Sequence, residues 1–130
     1  MRILVIEDES NNRETLCDVL RLLGHTPFGA ESAAQALAMV SHTKPDIILS
    51  DLNLPDMDGR DLIKQIFSSG VHPYTVALSG YHGDNEKELA LKAGFHSFLL
   101  KPVTLETMRA TIESMSDSTP QLPNLAVERP

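Results

Sequence analysis

Five polar residues stand where a reaction would need them. Glu7 and Asp8 follow the apolar run Ile3 to Ile6, Asp51 follows Ile47 to Ser50, Ser79 follows Tyr74 to Leu78, and Lys101 closes the run Phe95 to Leu100. If each run is a strand of one parallel sheet, all five reach the same rim. Three carboxylates at short range repel one another, an arrangement that makes sense around a hard divalent cation. Oxygen ligands alone select Mg²⁺, with Mn²⁺ as its substitute, and Mg²⁺ completes six positions with water, a backbone carbonyl and a phosphate oxygen. A metal-neutralised Asp51 can attack phosphorus in line. Lys101 and the cation then offset the charge on the equatorial oxygens, the Ser79 hydroxyl donates a hydrogen bond, and the product is an aspartyl phosphate.

The runs that place these residues are near-continuous rather than alternating, as strands buried on both faces must be. A further strand around His25 to Gly29 has the faintest pattern. Between the runs lie stripes of helical spacing: Leu16, Val19, Leu20 and Leu23, ended by Gly24; Ala33, Ala36, Leu37 and Val40, capped by Ser32; and Leu62, Ile63, Ile66 and Phe67. Asn85 with Glu88 predicts a capping box for a fourth helix that Gly94 stops, and Thr104 caps a fifth carrying Leu105, Met108, Ile112 and Met115. Strand and helix alternate five times, which right-handed crossovers build into an open doubly wound α/β sheet with its ligand site beyond the strands' carboxyl ends. From Ser116 the composition turns to Ser, Pro, Asn and charge, predicting one domain over residues 1–115 and a flexible tail or linker over 116–130.

Composition narrows the function. The 130 residues suit one domain, and the apolar 42% and charged 22% are ordinary for a soluble globular protein. A formal net charge of −7 offers no electrostatic footprint for nucleic acid or anionic lipid. Cys17, the single cysteine, forms no internal disulfide and reads as a small buried hydrophobe. No apolar run approaches the roughly 20 residues that span a bilayer, and the first residues carry no signal-peptide pattern, so a cytoplasmic setting is expected.

Taken together, Ile3 to Asp8, the segment Leu49-Ser50-Asp51-Leu52-Asn53-Leu54-Pro55-Asp56-Met57-Asp58-Gly59, Leu78-Ser79-Gly80 and Leu100-Lys101-Pro102 resemble the receiver domain of two-component systems, over residues 1 to about 115. The resemblance implies a flavodoxin-like (βα)5 fold with strand order 2-1-3-4-5. It implies Asp51 as phosphoacceptor, Glu7 and Asp8 as the acidic pair, Asn53 as a backbone-carbonyl ligand to Mg²⁺, Lys101 on the phosphoryl group and a cis bond before Pro102. It further implies a switch in which Ser79 and Phe98 move and reshape the face of helix four, strand five and helix five, while Asn53 and Tyr81 flank the attacking water and set the phosphoryl lifetime. The donor would be a histidine kinase or histidine phosphotransfer protein, and the chain a phosphorylatable switch rather than an enzyme, monomeric or weakly dimeric. The segments Leu22 to His25, Leu78 to Tyr81 and Ala93 to His96 look most like receivers fused to sensor kinases. Two departures stand out. Glu7 occupies a position where many members have aspartate, and Phe98 lacks a tyrosine hydroxyl.

Other readings are weaker. An acidic pair after a strand is usually a solvated loop, and Ser79-Gly80 or Lys101-Pro102 alone would be a turn and a strand stop. The five histidines, His25, His42, His72, His82 and His96, show no ligand spacing and read mostly as surface residues. A phosphorylation-silent docking module of the same fold is kept open only by Glu7. A phosphohydrolase of the haloacid dehalogenase kind would want an aspartate where Asn53 stands. A nucleotide or flavin binder would want a glycine-rich loop where Glu7 to Ser10 would repel phosphate.

Overall fold

In the computed structural model, which describes residues 1–80 and 85–117, every apolar run forms a strand. These are β1 (Arg2–Ile6), β2 (Thr26–Ala30), β3 (Ile47–Asp51), β4 (Tyr74–Ser79) and β5 (Ser97–Leu100), all parallel, in the order β2-β1-β3-β4-β5. The helices α1 (Ser10–Leu22), α2 (Ala33–Thr43), α3 (Gly59–Ser68), α4 (Glu86–Ala93) and α5 (Leu105–Asp117) alternate with them. Successive strand residues point to opposite faces, so the runs supply two cores at once. Leu4, Ile6, Ile48 and Ala77 pack with Ala36, Val40, Leu62, Ile63 and Ile66 of α2 and α3. Ile3, Val5, Ile47, Leu49, Val76 and Leu78 pack with Leu16, Cys17 and Leu20 of α1 and with Met108 and Ile112 of α5. No described helix is long and apolar enough to cross a membrane.

Because β2 and β3 flank β1 on opposite sides, the chain reverses direction across the sheet between β1 and β3. The carboxyl ends of those strands therefore open a crevice, where α/β sheets place their ligands. Local signals set most boundaries. Ser32 accepts from the Gln35 amide at 3.1 Å, the Thr104 hydroxyl accepts from the Thr107 amide at 3.1 Å, and Gly94 ends α4 at a φ of +122°.

Four expectations are corrected. Asn85 makes no side-chain cap bond, because its φ of −95° and ψ of −11° are already helical rather than the extended geometry that aims a cap at the helix. Strand β5 begins at Ser97, after Phe95 has been drawn into the core, and β2 is shifted one residue to Thr26–Ala30. Leu105, expected on the inner stripe of α5, is 41% exposed at the helix's first position. Helix α5 runs to Asp117, and the rest of the expected tail lies outside the described residues.

Delaying β5 gives His96 a structural task. The Thr75 carbonyl accepts from the His96 amide at 2.8 Å, while the Thr75 amide donates to His96 Nδ1 at 3.0 Å. The Gly94 carbonyl instead receives the Thr75 hydroxyl at 3.2 Å. An imidazole thus closes the open end of the β4–β5 ladder, stacked on Tyr74 at 4.7 Å. Only the neutral ring with Nδ1 unprotonated can accept there, and burial holds the His96 pKa below its ordinary value. A histidine pKa lowered by folding contributes stability that is full above the unfolded value, about 6.5, and is lost as pH falls from there through the folded value. A His96→Phe variant keeps the stack and loses the acceptor. Denaturant unfolding is expected to show it about 1 kcal/mol less stable at pH 7.5, with the gap to wild type closing as pH falls through that window. His25, also lowered by burial, contributes equally to both proteins and cancels in the difference.

Candidate phosphoacceptor site

At the rim between β1 and β3, the side chains of Glu7, Asp8 and Asp51 each offer a carboxylate oxygen, and these atoms lie within 4.8 Å of one another. Lys101, delivered by the end of β5, donates from Nζ to Glu7 Oε1 at 2.7 Å and to Asp51 Oδ2 at 2.9 Å. Glu7 and Asp51 are buried, 1% and 6% exposed, so this is one cation between two carboxylates largely withdrawn from water. Burial raises the Glu7 pKa, and the opposing Lys101 ion pair does not fully offset it. Burial by itself would lower Lys101, but its bonds to Glu7 and Asp51 outweigh that and hold it above its usual value. A charged lysine clamps the two acids, and burial makes Glu7 resist ionising.

The backbone fixes Glu7, Asp51 and Lys101. The Glu7 amide donates to the Ala30 carbonyl at 3.0 Å and Glu7 Oε2 accepts from the Glu9 amide at 3.2 Å. Asp51 Oδ1 accepts from the Asn53 amide at 3.2 Å. Ser79, fully buried at the end of β4, accepts at its carbonyl from the Lys101 amide at 2.8 Å, which ties the lysine to the rim. The peptide bond between Lys101 and Pro102 is cis.

The oxygens suit a hard cation. Opposite ligands in a Mg²⁺ octahedron are about 4.2 Å apart, twice the metal–oxygen distance, so small side-chain rotations would bring the three carboxylates to coordinating separations. The acid set has no nitrogen or sulfur donor, which disfavours zinc. Asn53 is exposed and stands two residues beyond Asp51, paired by an isolated bridge with Asp58.

The family model for the response regulator receiver domain matches residues 3–113. The chain belongs to that family. Over 112 residues the receiver domain is 38% identical to the sensor histidine kinase RcsC of Salmonella typhimurium, covering 86% of this chain and 12% of that protein. It is 33% identical to a 14.6 kDa protein from Leptolyngbya boryana, covering 84% of this chain and 86% of that one. Among solved structures, a two-component response regulator from Clostridium difficile superposes with a TM-score of 0.85 at 25% identity, covering 91% of this chain and 97% of that one. The receiver thus spans a small fraction of the kinase relatives' length.

Of the residues expected at the site, Lys101 meets Glu7 and Asp51 directly, and Asp8 offers a carboxylate oxygen within 4.8 Å of those of the other two acids. Ser79 ends β4, and Asn53 stands two residues beyond the end of β3. Phe98 lies apart. It is half-buried against the α2–α3 core and lines a cavity of about 590 Å³ between α4, β5 and α5, with Leu91, His96 and Thr107. Tyr81 lies outside the described residues.

Two supports of the loop that follows Asp51 in this receiver domain were not anticipated. Asp56 accepts from the Ala33 and Ala34 amides, both at 2.9 Å, so the loop after Asp51 caps α2 as well as leading into α3. These two bonds hold the Asp56 pKa below its ordinary value. Gly59 opens α3 so close to β3 that a Cβ there would stand 2.4 Å from the Asp51 carbonyl oxygen and 2.9 Å from Leu52 Cα. Backbone cannot yield as a side-chain tip does. A Gly59→Ala variant is expected to lose about 1–3 kcal/mol in chemical denaturation and to accept phosphoryl more slowly, because relief of the clash displaces Asp51.

Proposed function

We propose that this receiver domain takes a phosphoryl group onto Asp51 from the phosphohistidine of a histidine kinase or phosphotransfer protein, in a Mg²⁺-dependent reaction. The observation that carries the reading is the Lys101 bridge between Glu7 and Asp51, with Asp8 completing a group of three acids. Glu7, Asp8, Asp51 and the Asn53 carbonyl would hold the cation, which when bound lowers the charge repulsion between the attacking carboxylate and the incoming phosphoryl oxygens.

An Asp51 carboxylate oxygen attacks phosphorus, the oxygen–phosphorus bond forms, and the phosphorus–nitrogen bond to the donor imidazole breaks with its electron pair leaving on nitrogen. Lys101 keeps its positive charge throughout. It stabilises the transferred oxygens once the acids turn toward cation and phosphoryl group. Ser79 at the end of β4 is the hydroxyl that a transferred oxygen would draw inward, and Phe98, across the β4–β5 ladder from Ala77, would carry that movement to the α4–β5–α5 face. Asn53 and Tyr81 would govern the approach of hydrolytic water. The receiver unit ends with α5, works in the cytoplasm, and passes its state to a protein partner or an attached domain.

The test is incubation with Mg²⁺ and acetyl phosphate followed by intact mass, with EDTA as control. A gain of one phosphoryl group that EDTA prevents is the expected result. No gain, together with no binding of beryllofluoride, would favour the silent docking module, with Glu7→Asp as the first reversion to make.

A further inference from the structure

The acidic loop is held by a residue outside the acid cluster. Arg13, in the first turn of α1, reaches back to donate from Nη1 to the Glu7 carbonyl at 2.9 Å. Its stem crosses Gly29 of β2, where a Cβ would stand 3.2 Å from Arg13 Cδ and 3.4 Å from Cγ. The missing side chain of Gly29 is therefore the groove in which the Arg13 stem runs. Glu7 is then fixed at both ends, its amide on the Ala30 carbonyl at 3.0 Å and its carbonyl on the guanidinium. The carbonyl belongs to the peptide plane that joins Glu7 to Asp8. Holding that plane sets the direction in which Asp8, the exposed member of the acid group, leaves the strand.

We propose that Arg13 and Gly29 form a positioning pair for the cation site, in which Arg13 orients the Glu7–Asp8 peptide and Gly29 admits it. The assignment rests on the metal-dependent reading of the site given above.

Its sign separates it from simple electrostatics. Deleting a cation near a divalent-ion site should strengthen metal binding by Coulomb's law, whereas losing a group that orients a ligand weakens it. The probe is Mg²⁺ alone, titrated calorimetrically into the full chain with no phosphodonor present. Arg13→Met keeps the apolar stem and removes the donor, and it is expected to weaken Mg²⁺ about tenfold, the scale found for residues that orient metal ligands. Arg13→Lys, which keeps a donor on a flexible stem, restores most of the affinity. Gly29→Ala, with Arg13 intact, weakens binding by displacing the stem, and adds no further loss in the Arg13→Met background. Thermal unfolding of each variant without metal reads any general loss of fold.

Wild-type affinity in Arg13→Met, or a Gly29→Ala loss that persists undiminished in the double variant, would overturn the pairing and leave the site reading intact. A wild-type chain that binds no Mg²⁺ would overturn both.

Discussion

Asp51→Asn is expected to keep the fold and to take no phosphoryl group from acetyl phosphate in Mg²⁺. The amide oxygen cannot act as the nucleophile, so the effect on labelling is complete rather than partial. Its stability should equal or exceed wild type. Asp51 is one of three acids within 4.8 Å, and neutralising it relieves their mutual repulsion while Lys101 keeps its bond to Glu7 at 2.7 Å. Intact mass and thermal unfolding read the two effects separately. Label on the mutant equal to wild type would move the acceptor elsewhere and remove the basis of the proposed function.

Lys101→Met is expected to damage both stability and transfer. It strips the cation from a glutamate 1% exposed and leaves an uncompensated buried acid, which costs about 3 kcal/mol. Glu7 escapes part of that cost by taking up a proton. Its pKa, already raised by burial, rises further once the lysine that lowers it is gone. A carboxyl raised by folding stabilises the native state below its unfolded pKa and loses that contribution as pH rises through the folded value. The deficit of Lys101→Met should therefore be largest near neutrality, shrink as pH falls through the raised Glu7 value, and be smallest below about pH 4.3, where glutamate is protonated even in the unfolded chain. Adding Glu7→Gln should recover most of the stability and none of the transfer rate, since loss of one preorganised charge typically costs about a hundredfold in rate. Urea titrations across pH and single-turnover labelling give the two readings. A single variant as stable as wild type at neutral pH would mean that the Lys101–Glu7 pair carries little of the native stability.

Most of the architecture could be read before the structure because it is written in local patterns. Unbroken apolar runs need cover on both faces, and the helical stripes between them, such as Leu16 with Leu20 and Leu62 with Ile66, supply it. Ser32, Thr104 and Gly94 mark helix ends by mechanisms that act within a few residues. Asn85 carries the same residue type as a cap but not the backbone conformation, which the preceding chain decides. The acids and Lys101 were legible because each stands directly after an apolar run. What stayed hidden depends on partners far apart in sequence. Lys101 meets Glu7 across 94 residues, Asp56 reaches α2 across 22 and 23, and His96 replaces a strand carbonyl only because β5 starts late. No local pattern singles out Arg13 or Gly29; only their juxtaposition in the fold gives either a purpose.

The sheet is not uniformly buried. All five residues of β3 are buried, whereas no residue of β5 is fully so. The free energy of local opening should follow that gradient, with β3 amides exchanging deuterium only through global unfolding and β5 amides through cheaper fluctuations of the sheet edge. Asp51 is therefore mounted on the stiffest part of the molecule. Phe98 rides a strand that can separate from its neighbour without emptying the core, so a change of shape at this edge draws on only a small part of the total stability.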